Sequence, residues 1–174
     1  LVVATNSQSD PTSALKQQLE QRAGGRNVEV STTIKKVKII KNDGSEIEAE
    51  VAIKDADIDL TLVRPKESLD GDMPAVSLDP DAKPGQLDPI IILARMGMDA
   101  GRAVLVVRGY IRGIIEKPRK YYILHQGDVG VPSFDARGRC FGIYLGRSNA
   151  SGRAVGNTFV LPSSDILAVI KQIP

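Results

Sequence analysis

The stretch GDVGVPSFDARGRCFGIYL, from Gly127 to Leu145, carries the strongest indication of the fold. It opens with a turn rich in glycine and proline and continues into two short, mainly apolar segments. Gly138 lies between these segments, and glycine accepts the positive φ that a tight hairpin turn needs. The stretch therefore predicts a glycine-rich turn followed by two antiparallel strands.

Upstream of this stretch, apolar and charged residues alternate over many short segments. The clearest pair surrounds Asn42-Asp43-Gly44, with an alternating run on each side, and predicts a second hairpin. The 174 residues include 16 glycines and 10 prolines, which separate the segments as in an all-β protein. Further strands are predicted at 58–62, 90–94, 103–108, 110–115, 121–125 and 158–161.

Two segments have helical rather than strand patterns. Asp10-Pro11 is a favourable helix start, and Leu15 and Leu19 follow at helical spacing, which predicts a short helix ending near Arg22. After Pro162, apolar residues recur at helical spacing up to residue 173 and predict a second helix at the end of the chain.

The segment between residues 66 and 88 is rich in proline, aspartate and glycine and has little periodicity. We interpret residues 1–70 and 90–174 as two β-barrel lobes and residues 71–89 as the linker between them. Short strands favour barrels because closure of a sheet removes its exposed edges.

Composition excludes several classes of function. A single Cys and a single His rule out a disulfide framework, a Cys-rich zinc site and any catalytic scheme that needs two histidines. A net charge of +2 argues against a dedicated nucleic-acid binder, and no apolar run approaches the length of a membrane span. We expect no cofactor.

Several motifs, in order along nearly the whole chain, resemble those of trypsin-like serine proteases, and in particular of the bacterial HtrA/Deg branch. The resemblance implies an all-β, two-lobed double barrel. The first barrel would be incomplete, because the family normally has two strands before its first motif. The segments are Val2 to Gln8 for "V-x-T-N-x-H", Asn42 to Val63 for "D-G … D-x-x-x-D-L-A-V-L", Gly127 to Pro132 for "G-[ND]-S-G-G-P", Gly138 to Ile143 for "G-x-x-x-G-I" and Gly156 to Pro162 for "G-x-x-F-x-x-P".

Departures from the family pattern bear directly on activity. The resemblance places Gln8 at the position of the catalytic His, Asp59 at that of the catalytic Asp and Val129 at that of the nucleophilic Ser. A valine has no nucleophile, and a glutamine amide cannot act as a general base near neutral pH. Gly127, Asp128, Val129 and Gly130 would then form a residual oxyanion-type turn without a catalytic triad.

Asp59 needs a partner if it lies between the lobes, because an unpaired buried carboxylate is costly. The Gln8 side-chain amide could donate a hydrogen bond to Asp59 in place of the histidine. The alternative is that backbone amides satisfy Asp59 while Gln8 faces solvent.

Three other residues could be considered as catalytic groups. His125 precedes the glycine-rich turn and Ser133 follows it, so neither is expected to pair across the site as a base with a nucleophile. Cys140 falls within the second strand of the hairpin and is expected to be a core thiol.

These observations favour a non-catalytic trypsin-like domain, a pseudoprotease, that binds a protein or an extended peptide or acts as a scaffold. The alternative is an active serine-type endopeptidase whose catalytic residues lie elsewhere. We expect protein or peptide partners, with self-association an open alternative, and neither nucleic acid nor a membrane span. The family resemblance leans towards an extracytoplasmic location, periplasmic or secreted.

Overall fold

The computed structural model describes residues 1–5, 12–22, 29–31, 33–41, 43–68, 74–125, 129–145 and 158–173. These residues divide into two compact units, one containing the described residues up to 68 and the other those from 74 onward. The predicted short helix is confirmed as α1, which spans Thr12–Arg22.

The first unit contains a four-stranded antiparallel sheet. Its strand order is β1-β4-β3-β2, and β4 aligns Leu60 with Thr5 of β1 and with Asp55 of β3. The hairpin predicted around Gly44 is confirmed, since Lys41 N–H donates to the Ser45 carbonyl at 2.8 Å and Gly44 has a φ of 86°. The strands are β1 Val2–Thr5, β2 Val37–Ile40, β3 Glu46–Asp55 and β4 Leu60–Pro65.

The second unit contains a seven-stranded sheet followed by a helix. Its strand order is β6-β5-β9-β10-β11-β8-β7, and every pairing within it is antiparallel. The elements are β5 Pro89–Arg95, β6 Val104–Tyr110, β7 Gly113–Ile115, β8 Tyr121–Leu124, β9 Pro132–Asp135, β10 Cys140–Leu145, β11 Thr158–Pro162 and the predicted terminal helix, α2, Ser163–Ile170.

This second sheet closes into a barrel because its two terminal strands, β6 and β7, are parts of one bent segment. Only Ile111 and Arg112 separate them. Ile111 N–H donates to the Asp88 carbonyl at 3.1 Å, on the β5 side. Arg112 N–H donates to the Ile123 carbonyl of β8 at 2.8 Å. The bent segment therefore pairs with β5 through its first half and with β8 through its second half.

The larger apolar core lies inside this barrel. Tyr122 and Phe141 meet edge to face at its centre, with ring centroids 5.2 Å apart. The buried residues of this core are Ala82, Ile90, Ile92, Ile111, Tyr122, Leu124, Phe141, Tyr144 and Val160. A smaller cluster in the first unit consists of Ile39, Ala49 and Val63.

The described part of the predicted interlobe linker packs on the second unit. Leu78 forms an isolated bridge with Cys140, and Asp79 N–H donates to the Cys140 carbonyl at 2.9 Å. Ala82 is buried in the barrel core. Residues 78–82 thus form part of the wall of the second unit.

Three predicted strand boundaries were wrong by a few residues. Ile58 lies in the turn before β4 rather than in the strand, because the Asp55 carboxylate accepts the N–H groups of Asp57 and Ile58 and closes that turn. Tyr110 ends β6 instead of beginning the next strand. His125 follows the end of β8, at Leu124.

Candidate functional site

Asp59, which the resemblance assigns to the catalytic Asp position, occupies a tight turn between β3 and β4. Its φ is 54°, in the left-handed region that residues other than glycine adopt infrequently. Asp59 N–H donates to the Ala56 carbonyl at 3.4 Å. Its neighbours Ile58 and Leu60 are both buried, so the turn is anchored on each side of the carboxylate. This anchoring holds Asp59 in a conformation that costs backbone energy.

Gln8, which the resemblance assigns to the catalytic His position, lies outside the described residues. The described part of β1 ends at Thr5, which is buried and aligned with Leu60, the residue after Asp59. The hydrogen bond between Gln8 and Asp59 therefore stays a prediction.

Val129, which the resemblance assigns to the nucleophile position, lies in a turn before β9. Gly130 follows it with a φ of 84°, a conformation that favours glycine. Gly130 N–H donates to the Tyr144 carbonyl at 2.7 Å, and Tyr144 N–H donates to the Val131 carbonyl at 2.9 Å. The turn is thus tied by two backbone hydrogen bonds to the buried strand β10. Gly127 and Asp128, the other members of the predicted oxyanion-type turn, lie outside the described residues.

The Val129 side chain is half-buried and carries only methyl groups. Two residues further on, Val131 packs against the barrel core. The side chain at the nucleophile position therefore offers neither a hydroxyl nor a thiol that could attack a carbonyl.

The hairpin after this turn agrees with the prediction in detail. Strands β9 and β10 flank Gly138, whose φ is 77°. Gly142 has a different requirement, because a Cβ atom there would lie 2.1 Å from the Leu161 carbonyl oxygen. The two glycines of the "G-x-x-x-G-I" resemblance thus serve a turn and a close approach of two strands.

Asp135 is a structural carboxylate that sequence reasoning did not single out. It is buried, and its Oδ1 accepts the N–H groups of Arg137 and Arg139, each at 2.9 Å. Its Oδ2 accepts Arg139 Nε at 2.8 Å. Burial opposes ionisation, but these hydrogen bonds outweigh it and hold the pKa of Asp135 below its ordinary value. The sequence pattern Asp-x-x-Gly-Arg, from Asp135 to Arg139, could have indicated that this carboxylate accepts hydrogen bonds across the turn.

Cys140 is a core thiol, as expected from the sequence. It is buried, and burial raises the pKa of its thiol while the Sγ atom donates to the Gly142 carbonyl at 3.6 Å. A thiol in this setting is a poor nucleophile, because the thiolate is the reactive form.

Two serine side chains of the second unit, Ser133 and Ser163, are buried. The Ser133 side-chain oxygen is buried and has no hydrogen-bond partner among the described residues. Ser163 Oγ donates to the Cys140 carbonyl at 2.8 Å. His125, the only histidine, is exposed at the end of β8. Nucleophilic serines are activated by an adjacent base, and no such hydrogen bond reaches Ser133 in the described structure.

Charged side chains on the first sheet pair with one another. The carboxylate of Glu46 accepts from Lys38 and raises the pKa of that lysine. Arg64 Nε lies 2.6 Å from Glu50 Oε1, and Lys66 Nζ lies 3.5 Å from Glu48 Oε2. These pairs alternate positive and negative charge across the sheet instead of forming one basic surface.

Among the residues that the structure describes, His, Cys, Asp and Glu side chains do not gather in groups of three or more that could hold a metal ion. No helix in the described ranges is long and apolar enough to cross a membrane.

The chain is similar in structure to solved protease structures. The MamO protease domain from Magnetospirillum magneticum in its apo form has a TM-score of 0.55 and 14% sequence identity, with 76% of this chain and 72% of that chain covered. A variant of the HtrA-type protease AlgW with a tripeptide has a TM-score of 0.59 and 20% identity. The match covers 80% of this chain but only 48% of AlgW. No protein-family model and no curated protein matches the sequence.

These similarities, together with the two sheets, show that the chain has the trypsin-like, HtrA-type fold. The fold expected from the motifs near Thr5, Asp59 and Val129 is confirmed. At this level of identity the comparisons support the fold alone.

Proposed function

We propose that this domain is a non-catalytic member of the trypsin-like fold, a pseudoprotease that binds protein or peptide segments without cleaving them. The observation that carries the proposal is the hydrocarbon side chain of Val129 on a turn that is otherwise held in place by Gly130 and Tyr144. The turn is tied to β10 by backbone hydrogen bonds, while the residue assigned to the nucleophile position has no group that could form an acyl bond.

The alternative candidates for a nucleophile support the same reading. Cys140 is buried, with its pKa raised, and Ser133 is buried beside no described base. Neither has the neighbouring base and exposure that covalent catalysis requires. An active peptidase would have to use one of these groups or a residue outside the described ranges.

A serine-reactive fluorophosphonate probe tests the loss of catalysis directly, because it labels only an activated nucleophile. We expect no labelling of the purified wild-type protein. Labelling of the wild-type protein would overturn the proposal, and mass spectrometry of the adduct would identify the nucleophile.

The matched variant restores both missing groups, with Gln8→His and Val129→Ser combined. We expect the double variant to react with the probe. Adding Asp59→Asn should then slow labelling by on the order of 10³ to 10⁴, because the carboxylate orients the imidazole. A folded double variant that stays unlabelled would contradict the assignment of residues 8 and 129 to the triad positions.

A further inference from the structure

The strand β6 has an edge that no strand of the described residues covers. It pairs with β5 on one side and stands at one end of the strand order in the second sheet. In an antiparallel pair, alternate residues direct both backbone groups towards the partner strand. Hydrogen bonds of Ala103 with Met96 and of Ile111 with Asp88 show that the odd-numbered residues of this segment face β5.

The even-numbered residues therefore direct their N–H and C=O groups away from β5. These residues are Val104, Val106, Arg108 and Tyr110. Arg112, the next even-numbered residue, directs its N–H to the same side and donates it to the Ile123 carbonyl of β8. This bond agrees with the direction inferred for the even-numbered residues. In the described part of the chain, no backbone hydrogen bond occupies the groups of these four residues.

The open edge of β6 is also apolar and exposed. Val104 and Val106 are 60% and 62% exposed, and Tyr110 is 54% exposed. Edge strands are normally protected by short length, proline, a bulge or a covering element. Here the seven residues pair continuously with β5 without a register shift. An edge of this kind is a template for an added strand.

A groove of about 260 Å³ lies at the C-terminal end of this edge. Its apolar lining comes from Ile90, Val107 and Leu124. Its charged or chargeable lining comes from Arg108 and Arg112 with His125, and no acidic side chain of the described residues lines it. The groove thus combines a small apolar floor with a positive rim.

We propose that the open edge of β6 binds an extended segment of a partner protein by strand addition, and that this segment alternates apolar and acidic residues. Backbone hydrogen bonds to Val104, Val106 and Arg108 would hold the segment. Its carboxylates would meet Arg108 and Arg112 at the groove. A second copy of β6 would add like charges there, so charge complementarity favours an acidic partner over self-pairing.

This inference does not depend on the triad positions and would stand if the domain proved to be catalytic. The probe for the test is a fluorescein-labelled, amide-capped heptapeptide that alternates valine and glutamate. A matched heptapeptide alternates valine and lysine. Fluorescence polarisation should show binding of the acidic peptide that is at least about tenfold tighter than that of the basic one.

The decisive variant is Val106→Pro, with Val106→Ala as its control. Proline removes the N–H group that faces outward but leaves the bonds between β6 and β5, and proline is tolerated at such edge positions. We expect Val106→Pro to weaken binding of the acidic peptide at least about tenfold, while Val106→Ala stays within about twofold of wild type. Arg108→Glu leaves the backbone intact and should weaken binding at least about fivefold.

Equal binding of both peptides, or binding by folded Val106→Pro as tight as by Val106→Ala, would overturn the proposal. If Val106→Pro did not fold, binding of the acidic peptide by Arg108→Glu as tight as by the wild type would overturn the proposal. Sedimentation equilibrium of the wild-type protein tests whether a second copy of the chain occupies the edge of β6. A dimer that Arg108→Glu or Val106→Pro abolished would identify a second copy at β6 and would also overturn the proposal.

Discussion

The two units of this chain use short antiparallel strands in different ways. In the first unit, the described strands form an open order, β1-β4-β3-β2, and the buried apolar residues are Ile39, Ala49, Ile58, Leu60, Leu62 and Val63. In the second unit, a bend at Ile111 lets one segment join both ends of the strand order. Closure surrounds a core of nine buried residues that includes Tyr122 and Phe141.

The difference shows what a bent strand contributes. The bend at Ile111 gives the second unit a continuous wall, and Ile111 itself is fully buried at the closure. The same bend leaves the first half of the segment, β6, with β5 as its only neighbour among the described strands. The second unit is therefore expected to hold the larger share of the packing energy and, at β6, the edge best suited to a partner.

The largest effect is expected at the closest approach of two strands in the second unit. Gly142→Ala would place a Cβ atom 2.1 Å from the Leu161 carbonyl oxygen. We expect a loss of about 3 kcal/mol or more in the free energy of unfolding, measured by urea denaturation, because the backbone of β11 must move.

Gly109→Ala is the matched control, since a Cβ there would meet Ile90 at an ordinary 3.7 Å. Its free energy of unfolding should stay within about 1 kcal/mol of wild type. Equal losses for the two variants would show that the strand contact at Gly142 is not the constraint we describe.

A smaller effect is expected from the carboxylate that holds the β9–β10 turn. Asp135→Asn should lower the free energy of unfolding at neutral pH by about 1 to 3 kcal/mol, because the hydrogen bonds from Arg137 and Arg139 lose their charged acceptor. Thermal unfolding monitored by circular dichroism measures this change.

The stability that Asp135 contributes is expected to decrease at acidic pH. The pKa of Asp135 is lower in the folded state than its ordinary value, so its ionised form stabilises the fold above the unfolded pKa of about 4. That contribution is lost as the pH falls from about 4 through the folded pKa. The gap between wild type and Asp135→Asn should narrow over this range, and a gap that widened there would contradict the assignment.

The smallest effect is expected from the ion pair between Lys38 and Glu46 on the first sheet. Both side chains are about half exposed, at 41% and 50%, so solvent and salt screen their attraction. Glu46→Gln should leave the thermal midpoint nearly unchanged compared with Asp135→Asn. If Glu46→Gln lowered the thermal midpoint as much as Asp135→Asn, the exposed ion pair of the first sheet would contribute as much stability as the buried carboxylate of the second.

Much of the local structure could be predicted from particular residues. The turns at Gly44 and Gly138 were predicted because a positive φ favours glycine, and a hairpin's register follows from its turn. Helix α1 followed from the start signal at Asp10-Pro11 and the spacing of Leu15 and Leu19. The trypsin-like fold was expected from the order of weak motifs along the chain.

Other features depend on side-chain contacts that the alternation of apolar residues does not reveal. Ile58 alternates with Leu60 and Leu62 as a strand residue would, yet the Asp55 carboxylate draws it into a turn. Aspartate adopts a left-handed backbone more often than most residues other than glycine, but the sequence does not indicate that Asp59 rather than a neighbouring aspartate does so.

The sequence by itself determined which side chains stand at the three positions that the resemblance assigns to the triad: an amide at Gln8, a carboxylate at Asp59 and methyl groups at Val129. Residue identity fixes those properties wherever the chain folds. Only the tertiary structure decided that Ile111 closes a barrel and that β6 keeps an open edge beside Arg108. Strand neighbours are set by long-range pairing and packing, and local alternation of apolar residues does not encode them.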